Sequence, residues 1–339
     1  MKITTIGLDI AKKFFQLHWV DMTTGEVHRK QLKREQMAEF FATCEPSLVA
    51  MEACGSAHYW ARKLRAFGHE VRLVAAQFVR PFVKTNKTDA ADARAIWEAA
   101  QRPEMKFVAI KTEAQQSVLA LHRLREQMVK FRTMQGNQLR GLLYEFGVAL
   151  PPGRAKGMPA ALEALGALEE TLPAMVIDAL RQQMIRIQKL DEDIADIEKK
   201  LTLWKKEERS AMNLMEIPGV GILSATAAVA TIGDATAFKS GREFAAFLGL
   251  VPKQSGTGGR VRMLGISKRG NVYLRTLLIH GARARINFQK QRDPWIEQLL
   301  ARRPFNTVVV ALANKMARTI WAMMAHDRTY QKNYAANIA

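Results

Sequence analysis

Three short β-prone runs open the chain, Ile3 to Ile10, Phe14 to Val20 and Val27 to Leu32, separated only by Lys12-Lys13 and by Thr23-Thr24-Gly25. Runs of this length and spacing predict a meander of three strands, the strongest constraint on the fold. The pattern then alternates: a helix near 34–44, a short apolar strand from Leu48 to Met51, and a helix over 56–67 closed by Gly68. A strand from Val71 to Ala75 and an Ala-rich helix over 88–101, ended before Pro103, complete the series.

The resulting order, βββαβαβα, predicts a ribonuclease H-like α/β domain over residues 1–110. With 339 residues, 48% of them apolar, two or three domains can each bury a core. From about 112 to 147, Val118, Leu121, Leu124, Met128 and Phe131 recur at helical spacing, and Pro151-Pro152-Gly153 breaks that helix. A second long helix starts after Pro173, with Leu180, Met184, Ile187, Leu190, Ile194, Ile197, Leu201 and Trp204 stepping like a heptad seam. Residues 111–208 therefore read as a helical coiled-coil region whose seam must pair with another helix, in this chain or in another subunit. Residues 209–339 read as mainly helical. Their Ile217-Pro218-Gly219-Val220-Gly221 resembles the hairpin of a helix-hairpin-helix, with Gly219 and Gly221 placed to expose backbone N–H groups to a phosphate, or else forms a tight packed turn. A Gly-rich loop at 253–270 and helices near 271–290 and 305–325 complete this part.

Lys and Arg number 51 against 32 Asp and Glu, a formal net charge of +19. The excess is +5 in residues 1–110, nil in 111–238 and +14 in 239–339. Charge concentrated in this way points to a polyanionic partner, nucleic acid above all, rather than to solubility alone. Cys44 and Cys54 lie in no CxxC or Cys/His cluster, which excludes a disulfide framework and a structural zinc site. The first residues lack the pattern of a leader. The apolar stretches meet Gly, Ser, Asn, Lys or Arg before the ~20 residues of a membrane span, so a cytoplasmic, nucleoid-associated protein is expected.

Four acidic residues carry the chemistry. Asp9 ends the strand Ile6-Gly7-Leu8-Asp9-Ile10, Glu52 ends Val49-Ala50-Met51-Glu52, and Asp89 and Asp92 lie three apart on one face of the 88–101 helix. Four such carboxylates share a small site only around divalent cations such as Mg²⁺, or Mn²⁺, which also stabilise charge at a transferring phosphoryl group. Each residue has a plainer alternative, from a helix cap at Asp89 to an Arg partner for Glu52. A second candidate is the loop Lys253-Gln254-Ser255-Gly256-Thr257-Gly258-Gly259-Arg260 with Arg262 and Gly265-Ile266-Ser267-Lys268-Arg269-Gly270. Its glycines allow close backbone approach and its cations, Lys253, Arg260, Arg262, Lys268 and Arg269, suit a phosphodiester. On chemistry alone Ser255, Thr257 and Ser267 are equal candidates for a nucleophile, and the loop could simply bind phosphate.

These residues resemble the transposases of the insertion-sequence one-ten group, the DEDD or bridge-RNA-guided recombinases related to Piv-type DNA invertases. The resemblance covers nearly the whole chain. It rests on Gly7-Leu8-Asp9-Ile10-Ala11-Lys12, on Met51-Glu52-Ala53-Cys54-Gly55, and on Asn86-Lys87-Thr88-Asp89-Ala90-Ala91-Asp92-Ala93-Arg94. Ile217 to Gly221, and Phe247 to Pro252 leading into Ser255-Gly256, extend it. The Asp-Ala-Ala-Asp form looks closest to the eleven-eleven subgroup. The resemblance implies a RuvC-like N-terminal domain carrying Asp9, Glu52, Asp89 and Asp92 as metal ligands, a helical coiled-coil insertion, and a C-terminal transposase domain whose Ser255 attacks the DNA backbone. The product would be a covalent phosphoserine, with both domains contributing to one site. Ser267 would instead contact backbone, and Lys87 and Arg94 are candidate nucleic-acid contacts. The implied partners are donor and target DNA, a noncoding bridge RNA, and further copies of the chain in dimers or tetramers, with the 180–204 seam as an assembly contact.

Overall fold

The computed structural model describes residues 4–83, 88–289 and 293–331. The chain divides into two compact units, one running to Gln115 and including Ile232–Lys239, the other comprising Gln116–Thr231 and the chain from Ser240.

The first unit is α/β. Its elements are β1 (Thr5–Ile10), β2 (Phe14–Val20), β3 (Val27–Lys33), α1 (Met37–Thr43), β4 (Leu48–Glu52), α2 (Ala57–Ala66), β5 (Glu70–Val74), α3 (Ala76–Val79), α4 (Asp89–Ala100) and β6 (Phe107–Val108). They form one sheet in the order β3-β2-β1-β4-β5-β6, with β1, β4 and β5 parallel and the remaining pairs antiparallel. The meander and the two following strands fall where the sequence placed them; the two-residue β6 and the single turn α3 are too short to leave a periodic signal.

Alternation along the central strands sets which side chain faces which layer. Leu8, Val49 and Met51 join Phe15, Phe41, Trp60 and Leu64 on the α2 side. On the other face Ala50 and Val74 pack with Ala95, Ile96 and Ala99 of α4. Gly7 also faces α4: a Cβ there would stand 2.3 Å from the Ala93 carbonyl oxygen. Asp9, two residues beyond Gly7, and Glu52, two beyond Ala50, share that face. The register Leu8↔Met51 makes them the next residues at one end of the sheet.

The second unit is mostly helical: α5 (Glu113–Glu145), α6 (Arg154–Leu168), α7 (Ala174–Glu207), α8 (Arg209–Leu214), α9 (Ile222–Ile232), α10 (Gly241–Phe247), the strands β7 (Pro252–Thr257) and β8 (Arg260–Ile266), then α11 (Val272–Phe288), α12 (Pro294–Leu300) and α13 (Phe305–Ala325). α6 went unforeseen because Gly157, Pro159 and Gly166 obscure its helical signal.

The long helices settle the question of the seam. Ile177, Leu180 and Ile187 of α7 are buried with Leu139 and Leu143 of α5 and Ala161 and Leu165 of α6. Ile197 and Leu201 pack with Val118 of α5 and Ala230 of α9. Arg125–Glu198 (2.7 Å) and Arg132–Asp191 (2.8 Å) bridge α5 and α7 along the same seam. Of the two partners the sequence left open for the 180–204 seam, the structure shows α5 of the same chain packed along it.

α13 carries Asn314, Lys315 and Arg318 within its 21 residues, as the sequence reading expected of the apolar stretches. By length and composition it is apolar enough to cross a membrane, with mean hydropathy 1.2. Its buried side chains, Val308, Leu312, Met316, Ile320 and Met323 among them, recur at helical spacing, so its apolarity supplies a packing stripe in the second unit.

Candidate metal centre and serine hairpin

Asp89 and Asp92 occupy the first turn of α4, where the Thr88 hydroxyl accepts from the Ala91 N–H at 3.2 Å and fixes the start of the helix. Carboxylates favour this position because the helix N-terminus carries partial positive charge. α4 lies close on β1 because Gly7 leaves room and because the Trp97 indole Nε1 donates to the Thr5 carbonyl at 3.1 Å. The outcome is that carboxylate oxygens of Asp9, Asp89 and Asp92 come within 4.8 Å of one another. Glu52 lies outside this triad but near enough that its charge acts on Asp9. Lys87 lies outside the described residues. Arg94 is exposed and pairs with Glu98 one turn along its own helix, at 2.9 Å.

The electrostatics follow from the crowding. Burial first, then the charges of Asp92, Asp89 and Glu52, raise the Asp9 carboxyl to about 6 against a backbone hydrogen bond that opposes the rise. The donors are carboxylate oxygens only, which suits a hard divalent cation. Burial, then the charges of Glu52 and Asp9, raise the nearby Cys54 thiol.

The sign of the Asp9 shift gives a test. The folded chain keeps the Asp9 proton up to about pH 6, whereas the unfolded chain releases it near 3.8, so this group's contribution to stability is lost as pH rises between those values. Asp9→Asn is therefore expected to melt higher than wild type at pH 7.5 in chelator and to lose less stability between pH 5 and 7.5. Thermal denaturation at the two pH values checks this; a steeper pH dependence in the variant would sink it.

The 253–270 segment is a β-hairpin rather than a loop, which corrects the sequence reading. Gly258 (φ +57) and Gly259 (φ +78) make the tight turn that two-residue hairpins favour, and the run between them and Pro252 was too polar to read as a strand. Ser255 pairs directly with Arg262, and Thr257 with Arg260. Lys253, Ser255, Thr257, Arg260 and Arg262 are all exposed. Ser267 sits at the hairpin root, half-buried, where its N–H donates to the Val251 carbonyl at 2.8 Å. Lys268 and Arg269 beside it are exposed, with Lys268 at φ +55.

The root is held by a residue sequence reasoning missed. Arg275, 7% exposed, donates from Nη1 to the carbonyls of Leu248 (2.9 Å) and Arg269 (2.8 Å), tying the end of α10 to the end of the hairpin. Its only sequence signal is one arginine on the buried side of α11, beside Leu274 and Leu278. His122 forms another buried polar contact, bonded to Tyr273 (2.9 Å) and Thr226 (3.0 Å), and burial lowers its pKa to about 4. Gly219 (φ +93) is pressed against α11, where a Cβ would stand 2.9 Å from the Gly281 carbonyl oxygen. Close packing thus accounts for that glycine, while Gly221 faces open space.

Comparison with known proteins gives the same answer over both units. A DEDD transposase model of the IS110 group matches residues 6–148, and a model described as Transposase IS116/IS110/IS902 family matches residues 211–297. A probable family 20 transposase of Pseudomonas aeruginosa is 50% identical over 98% of this chain and 99% of its own length. The transposase of insertion sequence element IS1111A from Coxiella burnetii is 41% identical over 97% of this chain and 92% of its own. That of IS1328 from Yersinia enterocolitica is 39% identical, over 97% and 99%. With matches of this extent, and with acidic residues of the DEDD pattern converging at the end of an α/β sheet, the chain belongs to the IS110/IS116/IS902 family of transposases.

Proposed function

We propose that this transposase mobilises an insertion sequence by cutting and rejoining DNA through a covalent phosphoserine at Ser255. Asp9, Glu52, Asp89 and Asp92 hold Mg²⁺ or Mn²⁺ in a domain of ribonuclease H-like, RuvC-like type. The observation that carries the metal reading is the convergence of three carboxylates from β1 and α4 within 4.8 Å. Glu52 extends the set from the adjacent strand. A divalent cation bound there supplies Lewis-acid stabilisation of charge on the phosphoryl group. Ser255 presents its hydroxyl on an exposed hairpin bearing Lys253, Arg260 and Arg262, a setting suited to a phosphodiester.

The +14 excess of residues 239–339 supports a polyanionic partner, which we read as donor DNA, target DNA and a bridge RNA that selects them by base pairing. Candidate backbone contacts are Lys87, Arg94, Gly219, Gly221, Lys253, Arg260, Arg262, Lys268 and Arg269. The working parts are residues 1–110, 111–208 and 209–339. A homo-oligomer, dimer or tetramer, completes the reading.

One observation favours a second reading. Among the described residues no base is bonded to Ser255, so a nuclease in which the acidic cluster directs water, with Ser255 only binding phosphate, is the alternative. Recombination between donor and target plasmids, in cells supplied with the element's flanking noncoding DNA, separates them. Ser255→Ala and Asp92→Ala should each reduce recombination at least about 10³-fold. A protein–DNA adduct should survive denaturation in wild type and vanish in Ser255→Ala. Cleavage retained in Ser255→Ala establishes the nuclease instead, and recombination without the flanking RNA removes the bridge.

A further inference from the structure

The register of the β7–β8 hairpin places a particular cation beside the serine. In an antiparallel pair, directly opposed residues present side chains on one face with Cβ atoms about 4.5–5.5 Å apart. Ser255 opposes Arg262, and Thr257 opposes Arg260, so all four share one face while Gln254, Gly256, Val261 and Met263 occupy the other. The irregularity in the ladder lies at the root, between Pro252 and Gln254, and leaves the pairing around Ser255 regular. Lys253 is on the disturbed side of that irregularity, and Arg260 is two pairs along the ladder from the serine. Arg262 alone stands directly across.

The surroundings leave Arg262 free for an anion. No Asp or Glu occurs between Glu243 and Asp293, so the hairpin contains no carboxylate of its own. Among the described residues no acid pairs with Arg262, whose side chain stands in solvent on the exposed strand. A guanidinium so placed can span two oxygens of a phosphate with a forked pair of hydrogen bonds.

We propose that Arg262 is a catalytic residue that binds the non-bridging oxygens of the phosphodiester attacked by Ser255 and stabilises their charge in the transition state. This rests on the reading of Ser255 as nucleophile. In the step, the Ser255 Oγ–phosphorus bond forms and the bond from phosphorus to one sugar oxygen breaks. The serine proton passes to water and the departing sugar oxygen takes a proton from water. A diester with one negative charge thus becomes a phosphoserine diester with one negative charge and a free sugar hydroxyl. The hairpin itself offers no proton acceptor, and its contribution is charge: the density that builds on the non-bridging oxygens meets a fixed cation held by the strand.

The test removes the charge from the substrate instead of the protein. The phosphate joined to the wild-type chain is first mapped on a synthetic donor duplex carrying an end of the element, with transcripts of its flanking noncoding DNA present. That phosphate is then replaced by an uncharged methylphosphonate. On the natural phosphodiester, Arg262→Ala is expected to slow adduct formation about 10²–10³-fold, the usual effect of losing one transition-state donor. On the methylphosphonate, Arg262→Ala and wild type should agree within about threefold, because the diester's own negative charge, which the guanidinium is there to neutralise, is gone. Arg262→Lys should fall between them on the phosphodiester. Arg260→Ala should weaken DNA binding and its salt dependence, with no rescue by methylphosphonate.

An Arg262→Ala rate near wild type on the phosphodiester overturns the assignment. So does a loss that methylphosphonate leaves unchanged, since that marks a role in shape or binding. Adduct persisting in Ser255→Ala overturns the serine reading and this assignment with it, whereas adduct lost in Ser255→Ala but kept in Arg262→Ala overturns only the assignment.

Discussion

Replacing Gly7 by alanine is expected to reduce recombination at least about a hundredfold while removing only the space for one methyl group. The added Cβ would stand 2.3 Å from the Ala93 carbonyl oxygen and 2.7 Å from both the Cβ and the backbone N of Trp97. Two of these three atoms are backbone, so no side chain can swing aside and α4 itself must retreat from β1. Overpacking of this kind costs about 1–3 kcal/mol. The functional effect exceeds the stability effect because the displaced residue, Ala93, directly follows Asp92. Moving the helix widens the gap between Asp9 on β1 and the two aspartates on α4. In chelator Gly7→Ala should melt several degrees lower than wild type, and magnesium should no longer raise its melting temperature. Trp97→Phe keeps an aromatic side chain, though a smaller one, but drops the hydrogen bond to Thr5, and should show a smaller loss of the same kind. Full magnesium stabilisation in Gly7→Ala would show that the close approach of α4 does not set the carboxylate spacing.

Gly270→Ala should have an effect of similar size on the serine chemistry and none on the acidic cluster. Gly270 has φ +72, and a Cβ there would fall 1.7 Å from the Phe247 carbonyl oxygen, at the point where the hairpin returns to the end of α10. Both the left-handed backbone and the carbonyl oppose the methyl group. Relief requires opening the clamp formed by Arg275 on Leu248 and Arg269, by the Lys268 N–H on the Gly249 carbonyl (3.2 Å), and by Asn314 on the Leu250 carbonyl (3.2 Å). Freed of that clamp, the hairpin no longer holds Ser255 in a set direction. Adduct formation should fall at least about a hundredfold, with magnesium still raising the melting temperature as in wild type. Gly265→Ala is the matched control, because a Cβ there meets nothing within 4 Å and its φ is unremarkable for an L-residue. Adduct formation at wild-type rate in Gly270→Ala would show that the root does not orient the serine.

The acidic residues were legible because each sits at a point where local pattern speaks: the end of an apolar strand for Asp9 and Glu52, the first turn of an Ala-rich helix for Asp89 and Asp92. Their order of closeness was not. Asp9, Asp89 and Asp92 form the tight set while Glu52 stands beside it, a difference set by how far α4 approaches β1. Ser255 was singled out from Thr257 and Ser267 only by resemblance. The structure sets only Ser267 apart, half-buried at the root, whereas Ser255 and Thr257 are both exposed and each stands opposite an arginine. The roles of Gly219 and Arg275 left almost no trace in the sequence, because each answers to backbone atoms on elements far along the chain.

By itself, then, the sequence determined the strand meander, the helices with strong periodicity, the acidic residues and the concentration of positive charge near the C-terminus. All of these are written in neighbouring residues: spacing of apolar side chains, caps, breakers and charge counts act over a few turns or a few strand residues. Tertiary structure alone decided that α5 covers the α7 seam, that residues 232–239 return to the first unit, that a glycine-rich polar stretch pairs as a hairpin, and that Arg262 stands across from Ser255. These depend on which distant surfaces meet, and that is settled by close packing and by carbonyl groups needing donors, which no local pattern records.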